Sequence, residues 1–422
     1  MNFWILQTGE PLHSDYDFSR GMRAINLSDK LNAAGHDVIL WSSSFNHTKK
    51  IHRSYTFKSI LINKNLSINL IPSPGYKNNI GFKRLYDHFI LALNLHRILN
   101  INKLPLPDAI FVGFPPIETS FVMLNWAHKN KIPTIIDVKD QWPQIFVNVF
   151  PIKFKTIGKI IFSPYFYLTR KCFYYADLHV SMTKKYIDWM ALVINNTNKK
   201  YLISPLTSKL QIISSTVNEE NILWWSKYGV NLNNRNRFIF VGSFSKVFNF
   251  DLIYNLVEKF SFLQINCQFV FCGNGDRELY LKNKFNKYPN VIFPGWIDVN
   301  KYVLLANSST ACIAPYISTI DFMYSIPNKI IDALAYKLPI ISTLDGEVKN
   351  LIIKHNVGFH LDSNTFDKTV YKLIDLLNFD NNFAIISHNA FNLYNEKFNF
   401  DKIYNKLVEE LEILSNKDIN NN

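Results

Sequence analysis

The sequence predicts an α/β protein made of two doubly wound, Rossmann-like lobes. Three observations carry that expectation. Short apolar runs alternate with helical stretches in two separate series. A polar, Asn-rich stretch at residues 216–237 divides the series. A chain of 422 residues is long enough for two or three domains, each with an ordinary core.

The first series occupies residues 1–215. Strands are expected at 2–7, 37–42, 68–72, 109–113, 134–137, 178–181 and 211–214, because each is a short apolar run bounded by turn residues. Helices are expected at 21–34, 82–99 and 118–129, and the stretch 170–176 continues the series before 178–181. The stretch 216–237 is read as a linker. The second series, 238–399, places strands at 238–241, 268–273, 290–293, 311–315 and 340–342. Helices fall between them at 252–260, 277–285, 300–306 and 326–336. A charged amphipathic helix at 400–415 closes the pattern, followed by a polar tail.

Bulk composition narrows the function. Hydrophobic residues make up 48% and charged residues only 19%, which excludes a largely disordered chain. Cys172, Cys267, Cys272 and Cys312 sit in apolar surroundings without metal-ligand spacing, so they are expected to be reduced core residues. The opening MNFWILQ is too short an apolar run for a signal peptide, and no uncharged run has the length of a membrane helix. Residues 1–200 hold 25 Lys and Arg against 12 Asp and Glu, whereas 201–422 hold 21 of each. The first lobe therefore carries the whole net charge of +13 and is expected to face a polyanion.

The richest block is 325–347, read as a helix start, a short amphipathic helix and a buried strand. Ser325 is expected to cap the helix, with Pro327 in its first turn. The free N–H groups there, the helix dipole and the charge of Lys329 together form an anion site. Asp332 shares a face with Lys329 or Asn328 and can accept hydrogen bonds from hydroxyls. A diphosphate attached to a ribose fits this set.

The block resembles the nucleotide-sugar site of retaining GT-B glycosyltransferases of family 4, "glycosyl transferases group 1". The similarity extends to the branch that builds O-antigen and capsule units, including N-acetylfucosaminyltransferase-like enzymes. The resemblance implies two lobes with a crevice between them, retention of anomeric configuration and no essential metal or other cofactor. It also implies that Asp332 holds the ribose. The family's second acid would fall at Tyr324, so the two-acid pattern is broken; Asp321 lies nearby but out of register.

Other motifs take roles from the same resemblance. Gly242 follows a strand and lets backbone approach a ligand, and Lys246 is placed on the donor phosphates. The alternative is an ordinary strand-to-helix turn with a surface lysine. Gly273 and Gly275 resemble the turn that borders the nucleotide base; Glu278 stands where a dinucleotide fingerprint needs glycine. Gly21 is expected close to the donor diphosphate, with Arg23 beside it on the acceptor side. His47 follows a strand and faces the crevice, as an acceptor contact. The block Asp137-Val138-Lys139-Asp140-Gln141-Trp142-Pro143 offers Asp140 to orient or deprotonate an acceptor hydroxyl and Trp142 as a sugar platform. Its alternative is a structural Asp–Lys network that shapes the turn. Asp15-Tyr16-Asp17 imitates a metal-binding pair, but lies in a first loop where metal is not expected.

Basic and aromatic residues interleave at 76–86, with Lys77, Lys83 and Arg84, and at 151–175, with Lys153, Lys155, Lys159, Arg170 and Lys171. Such surfaces suit an anionic leaflet, and no nucleic-acid recognition motif accompanies them. The expectation is a glycosyltransferase using Asp140, Lys246 and Lys329, with a UDP-sugar donor and a polyprenyl-diphosphate-linked acceptor. It would work on the cytoplasmic face of a bacterial plasma membrane. A non-catalytic scaffold of the same fold and a sugar-nucleotide epimerase are the alternatives.

Overall fold

The computed structural model describes the chain except residues 16–20, 79–80, 102–103, 196–198, 208, 212–214 and 420–422. The strand expected at 211–214 therefore falls largely outside the described residues. The chain divides into two compact units, Met1–Ser204 with Asp401–Asn422, and Pro205–Phe400.

The first unit is built on an eight-stranded sheet. Its strands are β1 (Asn2–Leu6), β2 (Asp37–Ser43), β3 (Lys58–Asn63), β4 (Leu66–Ile71), β5 (Ala109–Phe114), β6 (Thr134–Val138), β7 (Leu178–Ser181) and β8 (Lys200–Ile203). They lie in the order β8-β7-β6-β5-β1-β2-β4-β3. All neighbours run parallel except β3 and β4, which form an antiparallel edge pair. The central strands are buried on both faces and so read as continuous apolar runs. β3 opens on Lys58 and Ser59, closes on Asn63 and is mostly exposed, so its apolar run is only three residues long and its signal faint.

Helix Phe400–Ile419 belongs to this unit from Asp401 onward. Tyr404, Leu407 and Leu411 are buried. Asn26 Nδ2 donates to Tyr404 Oη at 3.1 Å, His36 meets Glu412 at 2.8 Å and Lys30 pairs with Asp401. Helix Arg23–Ala33 and the turn after it thereby receive the helix along its length.

The second unit carries six parallel strands: β9 (Arg237–Val241), β10 (Gln268–Cys272), β11 (Val291–Gly295), β12 (Ala311–Ala314), β13 (Ile340–Ser342) and β14 (Gly358–His360). Their order is β11-β10-β9-β12-β13-β14. This is the doubly wound arrangement, with its reversal between β9 and β12. The core is aromatic: Phe238, Phe240, Phe269 and Phe271 on the strands meet Phe250, Phe260 and Phe285 from the covering elements.

The stretch expected as a linker is part of this unit. Helix Ser215–Lys227 occupies half of it, Trp225 is fully buried, and its Nε1 donates to the Lys301 carbonyl at 3.3 Å. Asparagine-rich polarity masked one buried indole. The helix expected at 326–336 is present as Asn328–Ala335, and a second, unexpected short helix, Ile320–Tyr324, precedes it, separated by residues 325–327. Proline supplies no N–H and keeps the residue before it extended, so the break falls there. Among the described residues, no helix is long and apolar enough to cross a membrane.

Candidate active site

Each unit opens a pocket at the carboxyl ends of its strands, where a doubly wound sheet leaves room as its strand order reverses. The second unit's pocket, about 200 Å³, is lined by Gly242, Ser243, Gly273, Asn274, Trp296 and Ile297, among others. Its turns are tied together by backbone hydrogen bonds. Gly242 N donates to Cys272 O at 3.0 Å, Gly273 N to Gly295 O at 2.7 Å and Phe244 N to Asn274 O at 2.7 Å. The turns after β9 and β10 thus interlock. A Cβ on Gly273 would sit 2.0 Å from the Gly242 carbonyl oxygen, and one on Gly275 2.6 Å from that of Phe244. Both glycines also have positive φ, so only glycine allows this approach.

Lys329 reaches the same place from helix Asn328–Ala335. Its ammonium donates to the Val241 carbonyl at the end of β9 and lies 4.2 Å from the Phe240 ring centroid. A Cβ on Gly242 would come within 2.5 Å of Lys329 Nζ. Burial pushes the Lys329 pKa down to about 8, although the Asp332 carboxylate pulls it up. Ile330, Ile331, Ala333 and Leu334 are buried, leaving Asn328, Lys329 and Asp332 half-buried on the remaining face.

Two details differ from expectation. Ser325 does not cap this helix: its hydroxyl donates to Phe322 O at 3.3 Å and closes the preceding short helix. Pro327 occupies the cap position, one residue before the first turn, and offers no side-chain hydrogen bond. Ile330 N donates to the Pro327 carbonyl at 2.9 Å, which leaves the N–H groups of Asn328 and Lys329 at the helix start for another acceptor. Lys246 is exposed, while its neighbour Phe244 is the buried anchor of the loop. Tyr324 is half-buried, and Asp321 nearby keeps a buried carboxylate oxygen with no hydrogen-bond partner among the described residues. Burial raises the Asp321 pKa.

The first unit's pocket, also about 200 Å³, is built of side chains. Gln7 and Thr8 follow β1, Pro115 and Pro116 follow β5, and these adjoining strands flank the reversal of strand order. His47, Asp140 and Trp142 all line it, together with Glu10, Tyr76, Arg84, Asp87, His88 and Lys139. His47 Nδ1 pairs with the Tyr76 hydroxyl, and burial, with Lys50 and Arg84 nearby, lowers its pKa to about 4. Burial lowers that of His88 to about 3, again reinforced by Arg84. Both imidazoles are neutral at pH 7. Trp142 is 5% exposed, with His88, Phe146 and the Arg84 guanidinium against its ring. It gives the pocket an edge, and little of its face is left as a sugar platform.

Arg23 is not at the pocket surface. It is 2% exposed, donates to Ser204 Oγ at 2.7 Å and to Ser204 O at 2.6 Å, and lies 3.4 Å from Asp137. Lys139 lies 3.6 Å from Asp137 and pairs with Glu10, whose other oxygen accepts from Ala24 N at 2.9 Å. Although burial opposes its charge, these carboxylates hold the Lys139 pKa above its ordinary value. Two cations and two carboxylates therefore form a neutral internal network that fixes the turn and leaves Asp140, half-buried, at the pocket.

Gly21 precedes that helix and approaches Asn26, whose Nδ2 donates to the Gly21 carbonyl at 3.0 Å. Asp15 is held by both arms of Arg53, at 2.7 and 2.6 Å, and Asp17 lies outside the described residues. Among the described residues no cluster of His, Cys, Asp and Glu could hold a metal ion. All four cysteines are buried and free.

Sequence reasoning missed Glu10, Asp87, His88 and Trp296. Asp87 and His88 carried a signal: adjacent polar residues on the helix face that continues as Leu91, Ala92 and Leu95, all buried. Trp296 offered none beyond its following a strand.

Residues 235–378 match the family model described as "Glycosyl transferases group 1". This stretch covers about a third of the chain and contains every residue of the second pocket. No curated protein matches the sequence. Among solved structures, sucrose-phosphate synthase from Thermosynechococcus elongatus superposes with a TM-score of 0.68 at 12% identity, covering 98% of both chains. WaaG, a glycosyltransferase involved in lipopolysaccharide biosynthesis, gives 0.63 at 13% identity over 97% of this chain and 99% of that one. Anabaena Alr3699/HepE in complex with UDP-glucose gives 0.62 at 11% identity over 98% and 99%. Identities this low speak to fold, and the shared fold is the GT-B plan of two doubly wound units.

Proposed function

We propose that the protein is a hexosyltransferase that moves a sugar from a nucleoside-diphosphate donor, a UDP-sugar first among candidates, to a polyprenyl-diphosphate-linked saccharide. Its place would be bacterial surface-polysaccharide synthesis, of the O-antigen or capsule kind, at the cytoplasmic membrane face. The observation that carries this reading is Lys329, held over Phe240 at a helix start and against Gly242, within the stretch that matches the family model.

A departing nucleoside diphosphate leaves with added negative charge on its terminal phosphate. Lys329 and the N–H groups of Asn328 and Lys329 neutralise that charge as it develops, which lowers the barrier. Asp332, on the same face, accepts from ribose hydroxyls. The exposed indole of Trp296 beside the Gly273–Asn274 turn offers a face to the base. In the first unit Asp140 orients the acceptor hydroxyl, while neutral His47 and His88 serve as hydrogen-bonding groups. The reaction retains configuration and uses no metal cofactor. The exposed Lys246, on the turn after β9, offers the phosphates a second cation.

A thermal-shift series with UDP, GDP, dTDP, CDP and UMP tests the donor assignment. A ligand at a hundred times its Kd stabilises by about 2.7 kcal/mol, a readable shift. One diphosphate is expected to stand out, and UMP to lag behind its diphosphate. If no nucleotide shifts the transition, the donor reading falls and a scaffold of the same fold replaces it.

A further inference from the structure

The surface of the first unit carries an apolar feature that neither pocket uses. Val149, Ile152, Phe154, Ile157, Ile160 and Ile161 are all exposed, Ile152 by 86% and Val149 by 84%. Single exposed apolar residues are ordinary, but six within thirteen positions are not. Ile157, Ile160 and Ile161 stand at i, i+3 and i+4 of helix Lys155–Ile161 and share one face. Lys155 and Lys159 share another, with Lys153 just before the helix. From residue 141 to 176 the chain has five basic residues and no carboxylate.

The segment is anchored from behind. Gly158 is its one buried residue between 151 and 161, and a Cβ there would meet the Phe150 ring at 3.1 Å. Phe146 packs on Phe162 at 5.3 Å and on Trp142 at 4.6 Å, ring centre to ring centre. Arg84 then joins Trp142 to helix Phe82–Ile101, whose Phe82, Tyr86 and Phe89 are also exposed along one stripe. Trp142 and Arg84 are walls of the first pocket. The exposed surface and the candidate acceptor pocket are thus two sides of one aromatic cluster.

We propose that residues 149–161 insert into an anionic lipid leaflet, with the lysines at headgroup level and the isoleucine face among the acyl chains. The proposal rests on the lipid-linked acceptor reading and names the element that docks. Charge selects the occupant. A two-fold pairing of this face with a second copy would set lysine against lysine with no carboxylate to answer, whereas an anionic leaflet complements both the apolar face and the lysines.

The test is flotation of the full-length protein with vesicles of phosphatidylglycerol and phosphatidylethanolamine, and separately of phosphatidylcholine. Binding is expected to the anionic vesicles and to weaken at high salt. Each basic residue near such a surface changes partitioning by about fivefold. Lys153→Gln with Lys155→Gln and Lys159→Gln should therefore cost well over tenfold. Ile160→Glu with Ile161→Glu should cost at least as much. Because the native cysteines are buried, Ile160→Cys labelled with a polarity-sensitive dye reads insertion directly, as a blue shift on adding anionic vesicles. Wild-type protein that stays with the pellet, variants that float equally well, an unshifted dye, or self-association through this face without lipid would each overturn the proposal. UDP stabilisation measured without lipid keeps the two readings apart. A protein that binds UDP but no vesicles loses only the docking element, and one that floats without binding a nucleotide loses only the donor site.

Discussion

The two pockets are made of different material. In the second unit the lining turns are tied to one another by backbone hydrogen bonds and brought close by glycines at strand ends, with the half-buried Lys329 beside them as a charge. In the first unit the walls are side chains from seven separate stretches, several of them titratable, over a buried four-charge network. Backbone amides and one cation suit a ligand part that is the same in every nucleotide donor. Varied side chains suit a ligand that differs from one enzyme to the next.

Four changes test that contrast. The largest effect is expected at Arg23. Its loss leaves Asp137 buried with half its positive partners, so Arg23→Met should destabilise by about 3–5 kcal/mol, read by denaturant unfolding. UDP binding by whatever remains folded should be unchanged. A stable Arg23→Met protein with a raised acceptor KM would return Arg23 to the acceptor site. Next, Lys329→Met should cut turnover by about 10²–10³-fold with little change in melting temperature; unchanged turnover would remove the phosphate assignment. Third, Asp140→Asn should slow transfer by about tenfold or more while leaving UDP affinity intact, since the two lie on different units. Equal losses in both would break the division of labour drawn above.

The smallest effect is a pH signature. Lys329 titrates near 8 when folded and near its ordinary 10.5 when unfolded. The unfolded chain therefore binds more protons between those values, and Lys329 makes the protein more stable as pH rises from 8 toward 10.5. A bound diphosphate reverses the preference by favouring the ammonium. UDP affinity should fall by a few-fold, about fivefold at most, between pH 8 and 9. Calorimetry in buffers of different ionisation heat should show proton uptake on binding near pH 8, lost in Lys329→Met. The histidines of the first pocket, at about 4 and 3, should leave acceptor binding flat between pH 6 and 8.

The contrast also explains what was legible. Gly242, Gly273, Gly275, Lys329 and Asp332 stand in short motifs at strand ends or a helix start, and local rules of backbone and dipole are enough to gather them. The parallel sheets were legible for the same reason, since doubly buried strands are plain apolar runs. Glu10, Asp87 and His88 join the first pocket only through the order of strands, which no window of sequence displays. Arg23 misled because an arginine at the start of an exposed-looking helix is normally solvated. Here Asp137, from a strand more than a hundred residues later, draws it inward. Ser325 misled because two helices meet where the pattern supports one.

The first unit is interrupted: residues 1–204 and the helix beginning near Asp401 belong together, with the whole second unit between them. A ribosome releases these pieces in order. The groove that receives Tyr404, Leu407 and Leu411 must wait, uncovered, while about two hundred further residues are made. The second unit, continuous in sequence, has all it needs to fold during that interval. The nascent chain would thus complete its second unit first, and a premature stop after Phe400 would leave that unit whole while stripping the first, begun earliest, of its last helix.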